Sequence, residues 1–549
     1  MNRKLSTVSS LLFLMLGAIP LQAQQRHVNV LDYHLTLTLP DAGSTIDGVA
    51  VITLKRLAKG GAADTLALDL LDLRVKSVAL GARDVSFVHS GGVLRIPIAG
   101  AADSIQVTVT YGGAVKDGLI VSTDSAGRWR GFGDNWPNRG RHWIPSVDHP
   151  SDKATVTWTV IAPSDRKVIA NGSLVEETVL PAKEDPDGHA GAPIALRRTT
   201  WREANPIPVY LMVIAAAPLV EYSLGNTACG FGPGGSCVPQ MVYTMPEQRR
   251  ILPGDFREAD SVVTFFGRLF GPFPYAKLAH VQSLTRFGGM ENAGAIFYSD
   301  RAFRTNGVSY GLLAHEVAHQ WFGDAVTEHE WSHAWLSEGF ATYLAAMYTQ
   351  KSRGDSAFRA QMVGIRNAIF GAQVVANRPV IDTIETNLMA MLNTNSYQKG
   401  GFVLHMLREE IGDSAFVRGA RAYQAKYRHG TAFSDDLRAE FERAAGRDLK
   451  AFFTQWLTRP GFPEVDATWV HDAATGTLSL KVVQGGKHGT FTFPLTVEYV
   501  DGTGAPKRMR LAVPSQAETT LRVATGVRTK PAQLRIDPDV AVLAKITER

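Results

Sequence analysis

The stretch GLLAHEVAHQWFGD contains two histidines four residues apart, with a glutamate directly after the first. In an α-helix, positions i and i+4 lie on one face, so His315 and His319 can offer imidazole nitrogens to a single metal ion. Glu316 then points about a quarter-turn aside. A carboxylate there suits taking a proton from a metal-activated water better than ligating the metal. A catalytic zinc needs a third protein ligand, and WLSEGFATYL supplies Glu338 after eighteen intervening residues, on a second predicted helix that can fold back beside the first. The fourth position stays open for water, which is the arrangement of a hydrolytic zinc site.

Upstream lies FGGMENAGA, in which Gly288 and Gly289 allow a backbone shape that bulkier residues resist, ahead of Met290, Glu291 and Asn292. Downstream lies TNSYQKGGFVLHML. With these segments in view, the sequence resembles the gluzincin zinc aminopeptidases, the M1 peptidase family of aminopeptidase N and leukotriene hydrolase, in which G-x-M-E-N precedes the zinc helix and Y-x-K-G follows it. The resemblance implies one Zn2+ per chain. It also implies that Glu291 holds the substrate's free α-amine and that Tyr397 donates a hydrogen bond to the carbonyl oxygen as it becomes an oxyanion. Glu316 would act as general base and then as general acid to the departing amine. An N-terminal residue near the amine is implied too, within GFGDNWPN, where Asp134 and Asn135 are the two candidates. HWIPSVDHPSDKATVTWTV and FFTQWLTRPGFPEV extend the resemblance to about residue 465.

The elements that must position these groups follow from patterning. From about His27 to Val220, short alternating runs such as YHLTLTLP and KATVTWTVIAP are broken by turn residues, which predicts an antiparallel β-domain. Val209–Val220, the most apolar stretch after the N-terminus, is about half the length a membrane span needs and reads as a buried strand. Helical spacing dominates from Pro246 to about Trp456. After Arg459-Pro460-Gly461, alternating strands return and predict a small β-sandwich. The expected fold is multidomain α+β: an N-terminal antiparallel β-domain at 24–224, a thermolysin-like, mostly helical catalytic domain at 225–460, and a C-terminal β-sandwich-like domain at 461–549. Family members continue into a large helical domain, so a short form with a more open cleft, tolerant of longer peptides, is the expectation.

Arg3 and Lys4, the apolar run Val8–Ile19 and Leu21-Gln22-Ala23 form the pattern of a signal peptide at 1–23, so the protein is expected to be exported, periplasmic or secreted, with no stable membrane insertion after cleavage. Cys229 and Cys237, the chain's two cysteines, would then meet oxidising conditions in which they can pair. The 57 basic and 52 acidic residues are spread along the 549-residue chain, which argues against a nucleic-acid partner. The expected partners are peptides with a free N-terminus. Gly230, Gly232 and Gly235 form a G-x-G-x-x-G string, but Pro233 and the flanking cysteines argue against a dinucleotide site. Asp324 is a candidate to orient a zinc-bound imidazole, or else a turn residue. A thermolysin-like endopeptidase is the main rival, although it has no G-x-M-E-N. Epoxide chemistry lacks support, since the acidic residue it needs falls at Met389.

Overall fold

The computed structural model describes residues 27–549 except 59, 125, 182–194, 249–251, 306, 501–503 and 532. The expected signal peptide at 1–23 lies outside the described residues. An eight-stranded sheet opens the chain, ordered Ser173–Leu180, Leu196–Pro208, Lys153–Pro163, Val28–Thr38, Thr45–Arg56, Ser104–Ala114, Arg74–Leu80 and Arg83–Asp84. Alternation drives it: Tyr33, Leu35 and Leu37 are all fully buried at every second position, while their neighbours face outward. Its pairings are antiparallel except that of Val28–Thr38 with Lys153–Pro163, which is parallel and joined by a long crossover.

A second sheet of this region, Lys167–Ala170, Ile214–Ala217, Trp129–Gly133 and Leu119–Thr123, carries the chain onward into Asp134–Trp136. The apolar stretch expected as one strand divides in two: a 3-10 turn at Val209–Leu211 and the strand Ile214–Ala217, all buried. Among the described residues, no helix is long and apolar enough to cross a membrane.

The next sheet differs from the helical expectation for this region. Five strands, Val220–Thr227, Val238–Thr244, Leu278–Ser283, Ala295–Ser299 and Gly289–Met290, form a mixed sheet in that order. The first of them spans the expected 224/225 boundary. Leu278–Ser283 shows no alternation because all six residues are buried. Its polar members find internal partners instead: His280 bonds Tyr298 at 3.1 Å and Gln240 at 3.0 Å, and Gln282 donates to Asp300 at 2.7 Å. Cys229 and Cys237 are joined by a disulfide that closes the loop between the first two strands. Within that loop the G-x-G-x-x-G string forms a tight turn, and Phe231 packs on Gly267.

Helices follow, of which three build the site: α1 (Tyr310–His319), α2 (Trp335–Arg353) and α3 (Gly400–Ile411). Beyond Gly461 the chain forms two further sheets, one of Glu464–Asp472, Thr477–Gly485, Glu518–Ala524 and Lys545–Glu548, the other of Phe493–Val500, Pro506–Val513 and Leu534–Ile536. Leu480, Val482, Leu495 and Val497 are fully buried there, each contributing roughly 1.5–3 kcal/mol of hydrophobic stabilisation. This region is tied to the helices by Arg366 on Asp537 at 2.6 Å and by His405 on the Val540 carbonyl at 3.1 Å.

Candidate metal and substrate site

Helix α1 starts where the Ser309 hydroxyl accepts the Leu312 N–H at 3.2 Å, and it ends at His319. Its i, i+4 pair faces the first turn of α2, where Glu338 stands. The His315 and His319 Nε2 atoms are 3.1 Å apart, and each lies 3.3 Å from Glu338 Oε2. A tetrahedral zinc with bonds of about 2.0–2.1 Å sets ligand–ligand edges of about 3.3 Å, so the three atoms already form one face of such a polyhedron. Glu338 Oε2 is buried and has no hydrogen-bond partner among the described residues, as an atom reserved for a cation would be. Glu291, Glu316 and His319 also bring ligand atoms within 4.8 Å of one another, a looser set.

His319 Nδ1 lies 3.0 Å from Ser337 Oγ and 3.3 Å from the Phe322 carbonyl. A carbonyl only accepts, so Nδ1 carries the proton and Nε2 keeps its lone pair for a metal. This corrects the orienting role considered for Asp324. Its backbone N–H donates to the His319 carbonyl at 3.0 Å, and its buried carboxylate makes no hydrogen bond among the described residues. The turn after α1 brings the Phe322 carbonyl under the ring and leaves the Asp324 side chain elsewhere. Lys153, reaching across from the β-domain, donates to the Asp324 and Ala325 carbonyls at 2.9 and 3.1 Å.

Tyr397 sits in a short π-helical turn, Asn395–Lys399, that leads into α3. Its hydroxyl donates to Glu338 Oε1 at 2.8 Å, and its ring stacks on His315 at 5.9 Å. Glycines stand where the two helices meet. A Cβ on Gly339 would meet the Gly400 carbonyl carbon at 2.9 Å, so α2 and the start of α3 approach closely only without side chains there.

The G-G-M-E-N segment forms the edge strand beside α1. A Cβ on Gly289 would stand 2.3 Å from Glu316 Oε1, whereas one on Gly288 would meet only Leu312 Cδ1 at 3.9 Å. Neither glycine has a left-handed φ. The expected need for a special backbone shape is therefore replaced by a need for space, at Gly289 alone. Glu291 is held by its backbone: Gln320, one residue past His319, donates to the Glu291 carbonyl at 2.8 Å and accepts the Gly294 N–H at 2.8 Å. From the β-domain, Asn171 donates to the Ala293 carbonyl at 2.9 Å. Met290 lines the cavity, but Gly288 and Asn292 do not; Asn292 is fully buried, and its amide makes no hydrogen bond among the described residues.

The cavity, about 280 Å³ including its open mouth, is lined by Gly289, Met290, Glu291, His315, Glu316, His319, Glu338 and Tyr397, and by Trp136, Phe287 and Leu392. Sequence reasoning missed these last three, together with Ser337 and Gln320. Trp136 follows the two N-terminal candidates directly, but neither of those lines the cavity. Asn135 donates to the Val209 and Met212 carbonyls at 3.2 and 2.7 Å and accepts from Trp143 at 2.8 Å. Asp134 accepts from Thr285 at 3.0 Å and pairs with Arg139 at 2.8 Å.

Three carboxylates share this buried space. Burial, reinforced by neighbouring carboxylates, pushes Glu316 well above the ordinary glutamate range and raises Glu291. Burial alone would raise Glu338 as well, but the positive charge of His319 and the close approach of both imidazoles draw it down to about 2. His319, which burial would depress, is held well above its usual value by Glu291 and Glu338. Burial thus makes charge on these carboxylates costly unless a positive charge stands among them, a place that a divalent cation would fill.

Against known proteins, residues 257–456 match the peptidase family M1 domain and residues 29–211 match the peptidase M1 N-terminal domain. The chain belongs to peptidase family M1. A probable aminopeptidase 2 of Sulfurisphaera tokodaii is 25% identical over 463 residues, 79% of this chain and 54% of the relative. Human glutamyl aminopeptidase is 26% identical over 382 residues, 66% of this chain and 36% of the relative. The chain thus spans about half the length, or less, of the curated relatives it matches. Legionella pneumophila aminopeptidase A, solved in complex with aspartic acid, superposes with a TM-score of 0.80 at 18% identity, over 96% of this chain and 60% of that one. A mutant of an M1 zinc metallopeptidase from Deinococcus radiodurans does so with a TM-score of 0.66 at 22% identity, over 80% of this chain and 96% of that one. These likenesses show a shared fold.

Proposed function

We propose that the protein is a zinc-dependent aminopeptidase that hydrolyses the first peptide bond of peptides bearing a free N-terminus. The observation that carries this reading is that one cavity holds both the His315, His319 and Glu338 triad and, beside it, the carboxylate of Glu291. His315, His319 and Glu338 would hold the zinc, which supplies Lewis acidity to the scissile carbonyl and to the attacking water. Glu291 pairs with the substrate's α-ammonium, so a chain without a free amine loses both its anchor and its register. Glu316 takes a proton from the attacking water and returns it to the departing amine, a double duty suited to a buried carboxyl whose proton affinity lies above the ordinary range. The Tyr397 hydroxyl, which donates to Glu338, is near enough to the triad to turn and donate to the developing oxyanion.

Family membership and relatives named as aminopeptidases support the reading. The disulfide between Cys229 and Cys237 supports the proposal that the chain works in an oxidising, exported compartment. The test is hydrolysis of a peptide and of its N-acetylated twin, each with and without a zinc chelator. Chelator-sensitive cleavage of the free peptide alone is expected. Cleavage of both would point to an endopeptidase, and cleavage of neither would remove the assignment.

A further inference from the structure

Resting on that reading, we infer that the cavity selects a bulky apolar or aromatic first residue and rejects an acidic one, with Trp136 as the wall that sets this preference. The polar lining is already committed: Glu291 to the amine, Glu316 to the water, and the triad with Tyr397 to the metal and carbonyl. What remains for the first side chain is Trp136, Phe287, Met290 and Leu392. No lysine or arginine is among the described residues that line the cavity. An acidic side chain would enter a water-poor space beside three carboxylates with no lysine or arginine among the described lining residues to receive it, at a cost set by desolvation and like-charge repulsion. Chain resemblance alone would suggest otherwise, since a matching relative is named glutamyl aminopeptidase and a matching structure holds aspartic acid.

The cations closest in sequence to these walls are spent elsewhere. Arg286, one residue before Phe287, turns to Asp117 at 3.0 Å and Asp134 at 3.5 Å. Arg139 pairs with the same two carboxylates, at 2.8 Å each, so the two arginines and two aspartates neutralise one another. The Trp136 ring is held rigidly for its task, edge-on to Phe287 at 5.9 Å and to Trp331 at 5.3 Å, and Trp331 in turn packs on Tyr210 at 5.2 Å. A wall fixed in this way offers apolar area to an incoming side chain at little entropic cost.

The test uses the zinc-loaded full chain and coumarin amides of Leu, Phe, Ala, Glu, Asp, Lys and Arg. Leu or Phe should exceed Glu and Asp in kcat/KM by about 100-fold or more, and Ala by about tenfold. Trp136→Ala should shrink the Phe-over-Ala ratio about tenfold; an equal loss on both would mark a merely structural tryptophan and overturn its assignment. Leu392→Arg, at a half-buried position, should raise the Glu-over-Leu ratio about tenfold with zinc content unchanged. It decides the matter if the Trp136 variant does not fold. Fastest cleavage of acidic or basic amides, similar rates on all, or an unmoved ratio in Leu392→Arg would overturn the inference while leaving the aminopeptidase reading intact. No cleavage of any amide would overturn both.

Discussion

Replacing Gly289 by alanine adds one methyl group directly against Glu316. The new Cβ would stand 2.3 Å from Oε1, 2.5 Å from Cδ and 2.7 Å from Cγ. Ordinary contact needs about 3.5 Å, so the carboxylate must retreat by about 1 Å or the edge strand must lift off α1 by as much. A displacement of that size at a reacting group costs roughly 10²-fold in rate, or about 2.7 kcal/mol in the barrier. His315, His319 and Glu338 are not among the atoms met by the added methyl, so zinc content should stay at one per chain. The expected result of steady-state kinetics on a leucyl amide, with zinc measured in parallel, is a kcat about 100-fold lower, a KM changed by less than about threefold and full metal occupancy. Gly288→Ala is the internal control: its Cβ would meet only Leu312 Cδ1 at 3.9 Å, and activity should be near that of the parent. A Gly289→Ala enzyme within about threefold of the parent, or a Gly288 variant equally damaged, would refute the steric argument.

Tyr397→Phe keeps the ring stacked on His315 but removes the O–H, so kcat should fall about 10²-fold with little change in KM; a loss confined to KM would remove the oxyanion role. Glu291→Ala should raise KM for free-amine substrates by about tenfold or more without producing cleavage of acetylated peptides, as chromatographic product analysis would reveal. His280, pushed down to about 3 by burial, takes up its proton only on unfolding. Between about pH 3 and 6.5 the unfolded chain therefore binds more protons, and stability falls as pH drops through that window. From pH 7 to 5 this histidine alone accounts for about 2 kcal/mol, so His280→Gln should reduce the pH dependence of urea unfolding by about that amount.

What could be read from the sequence was whatever local spacing encodes. His315 and His319 share a helix face because four residues make one turn, and Glu338 follows on the next helix, so the donor set needed no knowledge of distant contacts. The catalytic sheet was hidden for the opposite reason. Leu278–Ser283 is buried on both faces with His280, Gln282 and Ser283 inside, and His280 and Gln282 find partners 18 and 40 residues away. Trp136, Phe287 and Leu392 come from three separate segments and meet only in three dimensions. No pattern around any one of them marks it as a wall. Of the two N-terminal candidates, Asn135 holds the backbone of its own domain through partners 74 and 77 residues away, and Asp134 pairs with Arg139 and accepts from Thr285, 151 residues away. The role of Gly289 could be guessed from its neighbours but not its cause, since the carboxylate it spares belongs to another element.

Gln320, the residue after His319, holds the Glu291 segment through both ends of its side-chain amide. On the proposed function, this fixes the span between the group that grips the amine and the groups that cut. The enzyme then measures off a single residue by a length built into its frame, whatever the identity of that residue and however long the peptide behind it. A change in the number of residues released per cycle would require the frame to be rebuilt at Gln320, and no change in the walls of the cavity would achieve it.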